Sequence, residues 1–281
     1  MTELRLEAVT FAYPGGPPVL DGLDLAIPAG QTLALIGANG SGKTTLALHL
    51  DGLLRPTRGR VLVDGKDAAT RCVAQLARLV GLCFQRPERQ LFAANVRDEV
   101  EFGPRHAGLS DEEAFARAKV ALAMVGLGDD LGRHPDDLGE TRRKLLTIAS
   151  VLAMDTPVLV LDEPTTGLDR RGLEGVARIV AELHAAGRSV VAISHDMRFV
   201  AETFERVALL DGGRVALDGT PAEVFAESAW PRLRAAGLEP PHAAIVGARL
   251  GLGSTPTDDA VVRALTERGG GASIGGPASA R

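Results

Sequence analysis

The sequence predicts an α/β fold built around a buried and mostly parallel sheet. Three short apolar runs support this prediction, because strands that are covered on both faces are almost continuously apolar. The runs are residues 32–36 (TLALI), 158–161 (VLVL) and 189–193 (SVVAI), and each is followed at once by glycine-rich or polar sequence. Since the carboxyl ends of parallel strands meet at one edge of a sheet, we expect the functional site along that edge.

The remaining elements follow from local patterns. Apolar and polar residues alternate over residues 4–9, which is typical of a half-buried strand, and a Pro/Gly turn follows. Ser110 and Glu113 form the pattern of a helix-capping box, and the apolar residues after it recur at helical spacing up to Gly126. We therefore expect a helical subdomain inserted at about residues 86–153.

The C-terminal part differs in composition from the rest. Helical patterns lie near residues 223–236 and 258–268, whereas residues 269–281 (GGGASIGGPASAR) resemble a disordered tail. The expected organisation is a main domain over residues 1–225, a small C-terminal extension over residues 226–268, and the tail.

Composition excludes several classes of protein. With 45% hydrophobic and 24% charged residues over 281 positions, the chain can bury a core, so disorder of the whole chain is excluded. A net charge of −5 argues against a basic face for nucleic acid, so no nucleic-acid partner is expected. No export signal and no apolar run of about 18 residues is visible, which predicts a soluble chain that can dock on a membrane protein. Cys72 and Cys83 fit no metal spacing and are expected to be buried thiols.

A phosphate-binding motif follows the first apolar run. The sequence GANGSGKT at residues 37–44 matches G-x-x-x-x-G-K-[ST]. Its glycines let backbone N–H groups surround phosphate oxygens, and the next helix adds its positive end. Lys43 is expected to reach the β- and γ-phosphates, Thr44 to bind Mg²⁺ and Thr45 to donate a further hydrogen bond. The other predicted nucleotide-binding residues of this loop are Gly37, Asn39, Gly40, Ser41 and Gly42.

An acidic pair follows the second apolar run. Asp162 stands at the predicted strand end, where its carboxylate can hold Mg²⁺ through water. Glu163 comes next and is placed to polarise an attacking water as general base.

Over about residues 3–225 the chain resembles the ATP-binding cassette (ABC) family, whose fold is a P-loop NTPase core with a mixed sheet and an inserted helical subdomain. The resemblance implies that Gln85 is the Q-loop residue, which contacts Mg²⁺ and acts in catalysis. It implies further that Asp169 faces a partner subunit, that His195 touches the γ-phosphate, and that the ring of Tyr13 stacks on adenine. The implied cofactors are ATP and Mg²⁺.

Residues 85–104, which include QRPERQLF, resemble more narrowly the ATPases of energy-coupling factor (ECF) importers. In that group this stretch grips a membrane T component, while a separate S component captures a vitamin or a transition-metal ion. The resemblance implies a peripheral protein on the cytoplasmic face of the cell membrane, with ATP hydrolysis driving import.

The family's signature sequence, LSGGQ, is altered in this chain. The corresponding segment is LGETR, with the predicted trans-interface residues Gly139, Glu140, Thr141 and Arg142. In the family this segment contacts the γ-phosphate held by the other subunit, so a carboxylate there is expected to repel it by roughly 4 kcal/mol at a dielectric near 20. A heterodimer with a second ATPase is favoured over a homodimer that tolerates the change.

The sequence leaves three other functions open. The chain could serve another class of importer, which its co-purifying membrane partner would reveal. It could be a soluble cassette of DNA repair or translation, although no long coiled coil, second cassette or basic patch is present. It could be an inactive regulatory cassette, against which Lys43, Asp162, Glu163 and His195 all argue.

Overall fold

The computed structural model describes residues 2–270 and, within them, ten strands in two sheets. The strands, in chain order, are β1 (Leu4–Ala12), β2 (Pro18–Ile27), β3 (Thr32–Ile36), β4 (Arg58–Val63), β5 (Lys66–Asp67), β6 (Val80–Cys83), β7 (Val158–Asp162), β8 (Ser189–Ile193), β9 (Arg206–Asp211) and β10 (Arg214–Gly219).

The larger sheet has six strands in the order β10-β9-β3-β8-β7-β6. β3 pairs in parallel with β8 and β9, and β7 pairs in parallel with β6 and β8, whereas β10 is antiparallel to β9. All three predicted buried strands are confirmed, and every residue of β3, β7 and β8 is buried. The register sets Leu35 beside Ile193 and Ile193 beside Asp162, so the carboxyl ends of these strands share one edge.

The smaller sheet is antiparallel, in the order β2-β1-β4-β5. It contains the predicted alternating strand, which extends past residue 9 to Ala12. Leu4, Leu6 and Val9 are buried and face the larger sheet through a shared apolar cluster that includes Leu33 and Leu35. Each such leucine contributes about 1.5–3 kcal/mol when it is fully buried, so the two sheets hold each other in place.

The helices connect the strands. They are α1 (Lys43–Leu50), α2 (Val73–Leu76), α3 (Val96–His106), α4 (Asp111–Met124), α5 (Glu140–Leu152), α6 (Arg170–Ala185), α7 (Met197–Thr203), α8 (Pro221–Val224), α9 (Trp230–Ala235), α10 (His242–Arg249) and α11 (Asp258–Gly270). Residues of α1 and α2 pack in the apolar cluster shared with the smaller sheet, and helices later in the chain pack on the other face of the larger sheet. Short 3₁₀ turns lie at Ala68–Thr70, Pro87–Arg89, Pro135–Asp137 and Glu227–Ala229.

Helices α3, α4 and α5 form one packed group between β6 and β7. The predicted capping box at the start of α4 is confirmed, since Ser110 Oγ accepts from the Glu113 N–H and the Glu113 carboxylate accepts from the Ser110 N–H. Leu122 of α4 and Leu146 of α5 are fully buried in the cluster that also contains Leu159 and Leu161 of β7. The group is therefore packed directly on the larger sheet.

The C-terminal helices also pack on this cluster. Phe225 and Leu233 are buried in it, and the Trp230 indole N–H donates to the Phe225 carbonyl oxygen at 2.9 Å. The sequence did not indicate α10, whose small residues (HAAIVGAR) carry a weak helical pattern. α11 continues two residues into the segment expected to be a tail, and residues 271–281 of that segment lie outside the described part of the chain.

The remaining expectations concern the two cysteines and membrane-spanning segments. Cys83 is buried as expected, but Cys72 is exposed, because it precedes the short helix α2 on the surface. Within residues 2–270, none of the helices is both long and apolar enough to span a bilayer.

Candidate nucleotide site

The loop between β3 and α1 requires glycine at two positions. Gly37 has a φ of 151°, and a Cβ atom there would lie 2.3 Å from the Leu210 carbonyl oxygen. Gly42 has a φ of 103°, and its Cβ would lie 2.9 Å from the Val19 carbonyl oxygen. These conformations let the chain turn tightly into α1, whose positive end then faces the space at the sheet edge.

Lys43 lies across this loop. Its side-chain ammonium group donates to the carbonyl oxygens of Gly37 at 2.7 Å and Ala38 at 2.8 Å. Burial lowers the pKa of Lys43, while the charges of Glu163 and Asp162 oppose that shift. The cation is therefore held at the centre of the loop by groups that an anionic ligand can replace.

Asp162 and Thr44 provide oxygen atoms suited to a divalent cation. Thr44 Oγ1 donates to Asp162 Oδ2 at 3.0 Å, and among the described residues the buried Asp162 Oδ1 has no hydrogen-bond partner. Burial raises the pKa of Asp162, while the Thr44 hydrogen bond and the charges of Lys144 and Lys43 oppose that shift. Gln85 lines the same cavity, so a hydroxyl, a carboxylate and an amide oxygen are available, and this donor set fits Mg²⁺.

Glu163 occupies a strained position next to Asp162. Its φ of 51° lies in the left-handed region, at a cost of about 1–3 kcal/mol for a residue other than glycine. The Glu163 N–H donates to the Ile193 carbonyl oxygen at 3.0 Å, which fixes the strained turn to β8. Burial, and then the charge of Asp162, raise the pKa of Glu163 to about 7. A carboxyl group with this pKa can accept a proton near neutral pH.

His195 follows β8 and faces Glu163. Its Nε2 atom lies 3.0 Å from Glu163 Oε1, although the pair is not aligned as a hydrogen bond, and Glu163 Oε1 is left without a partner among the described residues. Burial and then the charge of Lys43 lower the pKa of His195, so the ring is neutral at physiological pH. A neutral imidazole in this place can orient a phosphate oxygen or a water beside Glu163.

These side chains surround one cavity of about 320 Å³ at the predicted sheet edge. Most predicted nucleotide-site residues line it: Tyr13, Asn39, Gly40, Gly42, Lys43, Thr44, Thr45, Gln85, Asp162, Glu163 and His195. Gly37 and Ser41 shape the loop from behind. The Ser41 hydroxyl is buried and lacks a partner among the described residues, but it does not line the cavity.

Tyr13 stands at the rim of this cavity. Its side chain is 43% exposed, its hydroxyl lies 3.2 Å from Thr45 Oγ1, and its ring meets Phe11 edge-on at 5.0 Å. The ring is thus braced by two neighbours while much of it stays open to solvent. Thr45, predicted to bind phosphate, is paired with this tyrosine in the structure.

The predicted trans-interface residues lie apart from the cavity. Gly139 caps α5 without a side chain, and Thr141 Oγ1 donates to the Gly167 carbonyl oxygen at 2.9 Å. The carboxylate of Glu140 also lies against Gly167, where an added Cβ atom would be 3.2 Å from Oε1. Arg142 is paired with the buried carboxylate of Asp130.

Asp169 begins α6 and accepts from the Gly172 N–H at 2.8 Å, so this exposed residue is also the N-cap of its own helix. Its carboxylate therefore already has a local partner within the chain.

Sequence reasoning missed two residues behind the cavity. Lys144 is only 2% exposed, and its ammonium group donates to the carbonyl oxygens of Phe84, Gln85 and Asp162. Gln90 accepts from the Phe84 N–H and donates to Thr147 on α5. The available signal was the position of Lys144 at helical spacing with the buried Ile148 and Leu152, where an apolar residue is expected.

A mostly parallel sheet with a phosphate-binding loop after β3 and an acidic pair after β7, with β8 between these two strands, defines a P-loop nucleotide hydrolase. The family model described as ABC transporter matches residues 20–166, and the chain belongs to this family. The chain is thus an ABC ATPase, which binds and hydrolyses ATP as a transporter subunit.

The relatives define the type more closely. The chain is 37% identical over 257 residues to the energy-coupling factor transporter ATP-binding protein EcfA of Methanothermobacter thermautotrophicus, covering 91% of this chain and 82% of that one. It is 43% identical over 240 residues to the cobalt import ATP-binding protein CbiO of Rhodobacter capsulatus, covering 85% of each. The chain is therefore an ABC ATPase of the ECF and cobalt importer type.

Solved structures agree with the sequence comparison. CbiO1 of Clostridium perfringens, described as part of an ABC transporter complex, superposes with a TM-score of 0.72 at 33% identity, over 83% of this chain and 94% of that one. A dimeric ATP-binding cassette with bound ADP and phosphate superposes with a TM-score of 0.72 at 26% identity, over 77% and 98% of the two chains.

Proposed function

We propose that this chain hydrolyses Mg·ATP to energise an ECF-type importer of a vitamin or a transition-metal ion. The observation that carries the proposal is the convergence of Lys43, Asp162, Glu163 and His195 on one cavity. These residues come from three separate strand ends, and two of their atoms, Asp162 Oδ1 and Glu163 Oε1, have no protein partner within residues 2–270.

Each side chain has a role that its surroundings support. Glu163 accepts the proton of the attacking water, and His195 orients the γ-phosphate beside it. Lys43 contacts the β- and γ-phosphates, for which it exchanges the two carbonyl oxygens it now holds. Mg²⁺, when bound, neutralises phosphate charge, and Thr44, Gln85 and Asp162 would hold it.

A membrane T component is the proposed partner of the surface at residues 85–104. Phe92 is 66% exposed and Phe102 is 41% exposed, and their rings meet edge-on at 4.7 Å, with His106 3.9 Å from the second ring. The buried Glu99 carboxylate accepts from the N–H groups of Phe92 and Ala93, which fixes the loop that presents this aromatic surface. An exposed but rigid aromatic group is typical of a binding surface.

A second ATPase with an intact signature is the proposed partner across the nucleotide. This chain and the second ATPase together enclose two Mg·ATP. Contacts that are made only in the closed state let ATP shift the population of dimers toward the closed conformation. The altered segment supports a heterodimer over a homodimer, because Thr141 and Arg142 are engaged within their own chain and Glu140 carries a like charge to phosphate.

The remaining assignments complete this proposal. An S component would capture the transported substrate, and the complex would place the chain at the cytoplasmic face of the membrane. The main domain over residues 1–225 would contain the motor, with the helical subdomain at about residues 86–153 transmitting its movement. Residues 226–268 would form an extension whose helices are anchored on the main domain through Phe225 and Leu233.

The test uses the aromatic surface and an exposed apolar control. The double variant Phe92→Ser and Phe102→Ser should lose the membrane fraction while binding Mg·ATP as the unmodified chain does. Val120→Ser, at a residue that is 63% exposed on α4, should keep both properties. Membrane association that persists in the double variant would contradict the proposed docking surface.

A further inference from the structure

The position of Lys144 behind the nucleotide cavity is not explained by packing. The residue is 2% exposed and lies in the second turn of α5, on a buried face that is mostly apolar and includes Ile148 and Leu152. Burying an ammonium group is costly unless its donors are satisfied, so the location calls for specific partners.

Those partners are three main-chain carbonyl oxygens at the ends of two adjacent strands. Lys144 Nζ donates to Phe84 at 3.1 Å and Gln85 at 2.8 Å, just after β6, and to Asp162 at 3.4 Å, at the end of β7. One cation thus ties together the main chains of the two residues whose side chains are proposed to meet at the same Mg²⁺.

Neighbouring contacts reinforce this connection to α5. The Phe84 N–H donates to Gln90 Oε1, and Gln90 Nε2 donates to Thr147 O and to Ser150 Oγ, each at 2.8 Å. Both main-chain groups of Phe84 are therefore fixed to α5, the carbonyl through Lys144 and the N–H through Gln90. The first turn of this helix is the altered signature segment at residues 139–142.

We propose that Lys144 is a positioning residue, whose ammonium group sets the main chains of Gln85 and Asp162 so that their side chains reach one Mg²⁺. Because the cation is carried by α5, the metal-dependent part of nucleotide binding then depends on where that helix lies. This inference rests on the proposed magnesium ligands Thr44, Gln85 and Asp162.

The closing experiment compares ATP dissociation constants with EDTA and with Mg²⁺ on the full purified chain, by isothermal titration calorimetry. The tightening is the ratio of the ATP dissociation constant in EDTA to that in Mg²⁺. Lys144→Met should lower this ratio by about 10- to 100-fold, the usual effect of losing a group that orients metal ligands. Affinity in EDTA should change little, because the phosphate loop and Tyr13 are untouched. Lys144→Arg, which keeps a cation with several donors, should restore part of the tightening.

Thr147→Val is the matched control for a purely structural effect. It alters a buried polar side chain on the same face of α5, one turn further on, and it leaves the three carbonyl contacts in place. It should lower the melting temperature without changing the ratio of the two ATP affinities. If Lys144→Met does not fold, Lys144→Gln provides the same comparison with a shorter and neutral donor.

Asp162→Asn distinguishes a failure of the proposed magnesium site from a failure of the proposed role of Lys144. It should abolish most of the Mg²⁺-dependent tightening, and if the tightening survives, the proposed magnesium ligands are wrong and the inference about Lys144 fails with them. If Asp162→Asn loses the tightening and folded Lys144→Met or Lys144→Gln retains it fully, the magnesium site stands and the role of Lys144 is refuted.

Discussion

Two regions of this chain that serve nucleotide binding in its family differ in how their polar groups are satisfied. In the cavity, Asp162 and Glu163 each keep a buried oxygen without a partner among the described residues. In the signature segment, the Thr141 hydroxyl and the Arg142 Nη2 atom have partners in the same chain, whereas Arg142 Nε is buried without one among the described residues.

The difference indicates which region is prepared for a ligand. A buried polar atom without a partner costs about 1–3 kcal/mol, and a ligand that supplies the partner recovers that free energy. In the signature segment, a phosphate that paired with Arg142 Nε would meet the like charge of Glu140 and compete with the Thr141–Gly167 and Arg142–Asp130 contacts, which offsets the gain. This contrast supports the proposed asymmetry, in which the cavity binds the phosphates and the signature segment is an altered trans surface.

The largest expected effect on ATP turnover comes from a substitution in the cavity. Glu163→Gln removes the proposed general base and should lower ATP turnover of the transporter complex by about 10²- to 10⁴-fold while ATP remains bound. Closed, ATP-bound complexes should accumulate and uptake should stop. Glu174→Gln, at an exposed carboxylate paired with Arg170, is the control and should have no effect. Unchanged transport in Glu163→Gln would refute its role.

A smaller effect on ATP turnover is expected from substitutions in the signature segment. Converting it to SGGQ with Gly139→Ser, Glu140→Gly, Thr141→Gly and Arg142→Gln should raise turnover of the chain purified alone at least about tenfold. The reason is removal of a like-charge repulsion of roughly 4 kcal/mol, which solvent reduces. Steady-state ATPase assays of both forms provide the measurement. An unmodified homodimer that turns over at about 1 s⁻¹ or faster would contradict the heterodimer proposal.

Substitutions of Tyr13 test whether its ring, at the rim of the cavity, stacks on adenine. Tyr13→Ala should weaken ATP binding about tenfold, since stacking of a base on an aromatic ring contributes about 1–3 kcal/mol. Tyr13→Phe keeps the ring and loses only the contact with Thr45, so it should bind nearly as the unmodified chain does. Isothermal titration calorimetry measures the three affinities. Equal affinities of the Ala and Phe variants would exclude stacking.

The sequence predicted those parts of the site that lie in continuous motifs. The phosphate loop at residues 37–44 and the pair Asp162–Glu163 follow directly from strands with strong patterns, so their meeting at one sheet edge could be expected from topology alone. The same reasoning located His195 after β8.

The parts that it missed depend on contacts between distant segments. Lys144 is 60 positions from its partner Phe84, and Arg142 is 12 positions from Asp130, so no local pattern links them. Helix α10 was missed for another reason, because small residues such as Ala243, Ala244 and Gly247 give little periodicity. Close packing favours these small residues, since a Cβ atom at Gly247 would lie 1.7 Å from Thr255 Oγ1.

The smallest expected effect is on the free energy of unfolding. It is tested by making the same Thr→Val substitution in each of the two regions. Thr141→Val removes the hydrogen bond to Gly167 and should lower the free energy of unfolding by about 0.5–1.5 kcal/mol, with no change in Mg·ATP affinity. Thr44→Val removes a proposed magnesium ligand and should weaken Mg·ATP binding much more than it changes stability. Urea denaturation and calorimetry on the two variants measure both quantities.

The pair distinguishes a segment that is satisfied within the chain from one that is prepared for a ligand. If Thr141→Val weakened Mg·ATP binding in the isolated chain as strongly as Thr44→Val, the signature segment would already contact nucleotide there. The homodimer would then be the better explanation, because only a second copy could bring residue 141 to a phosphate.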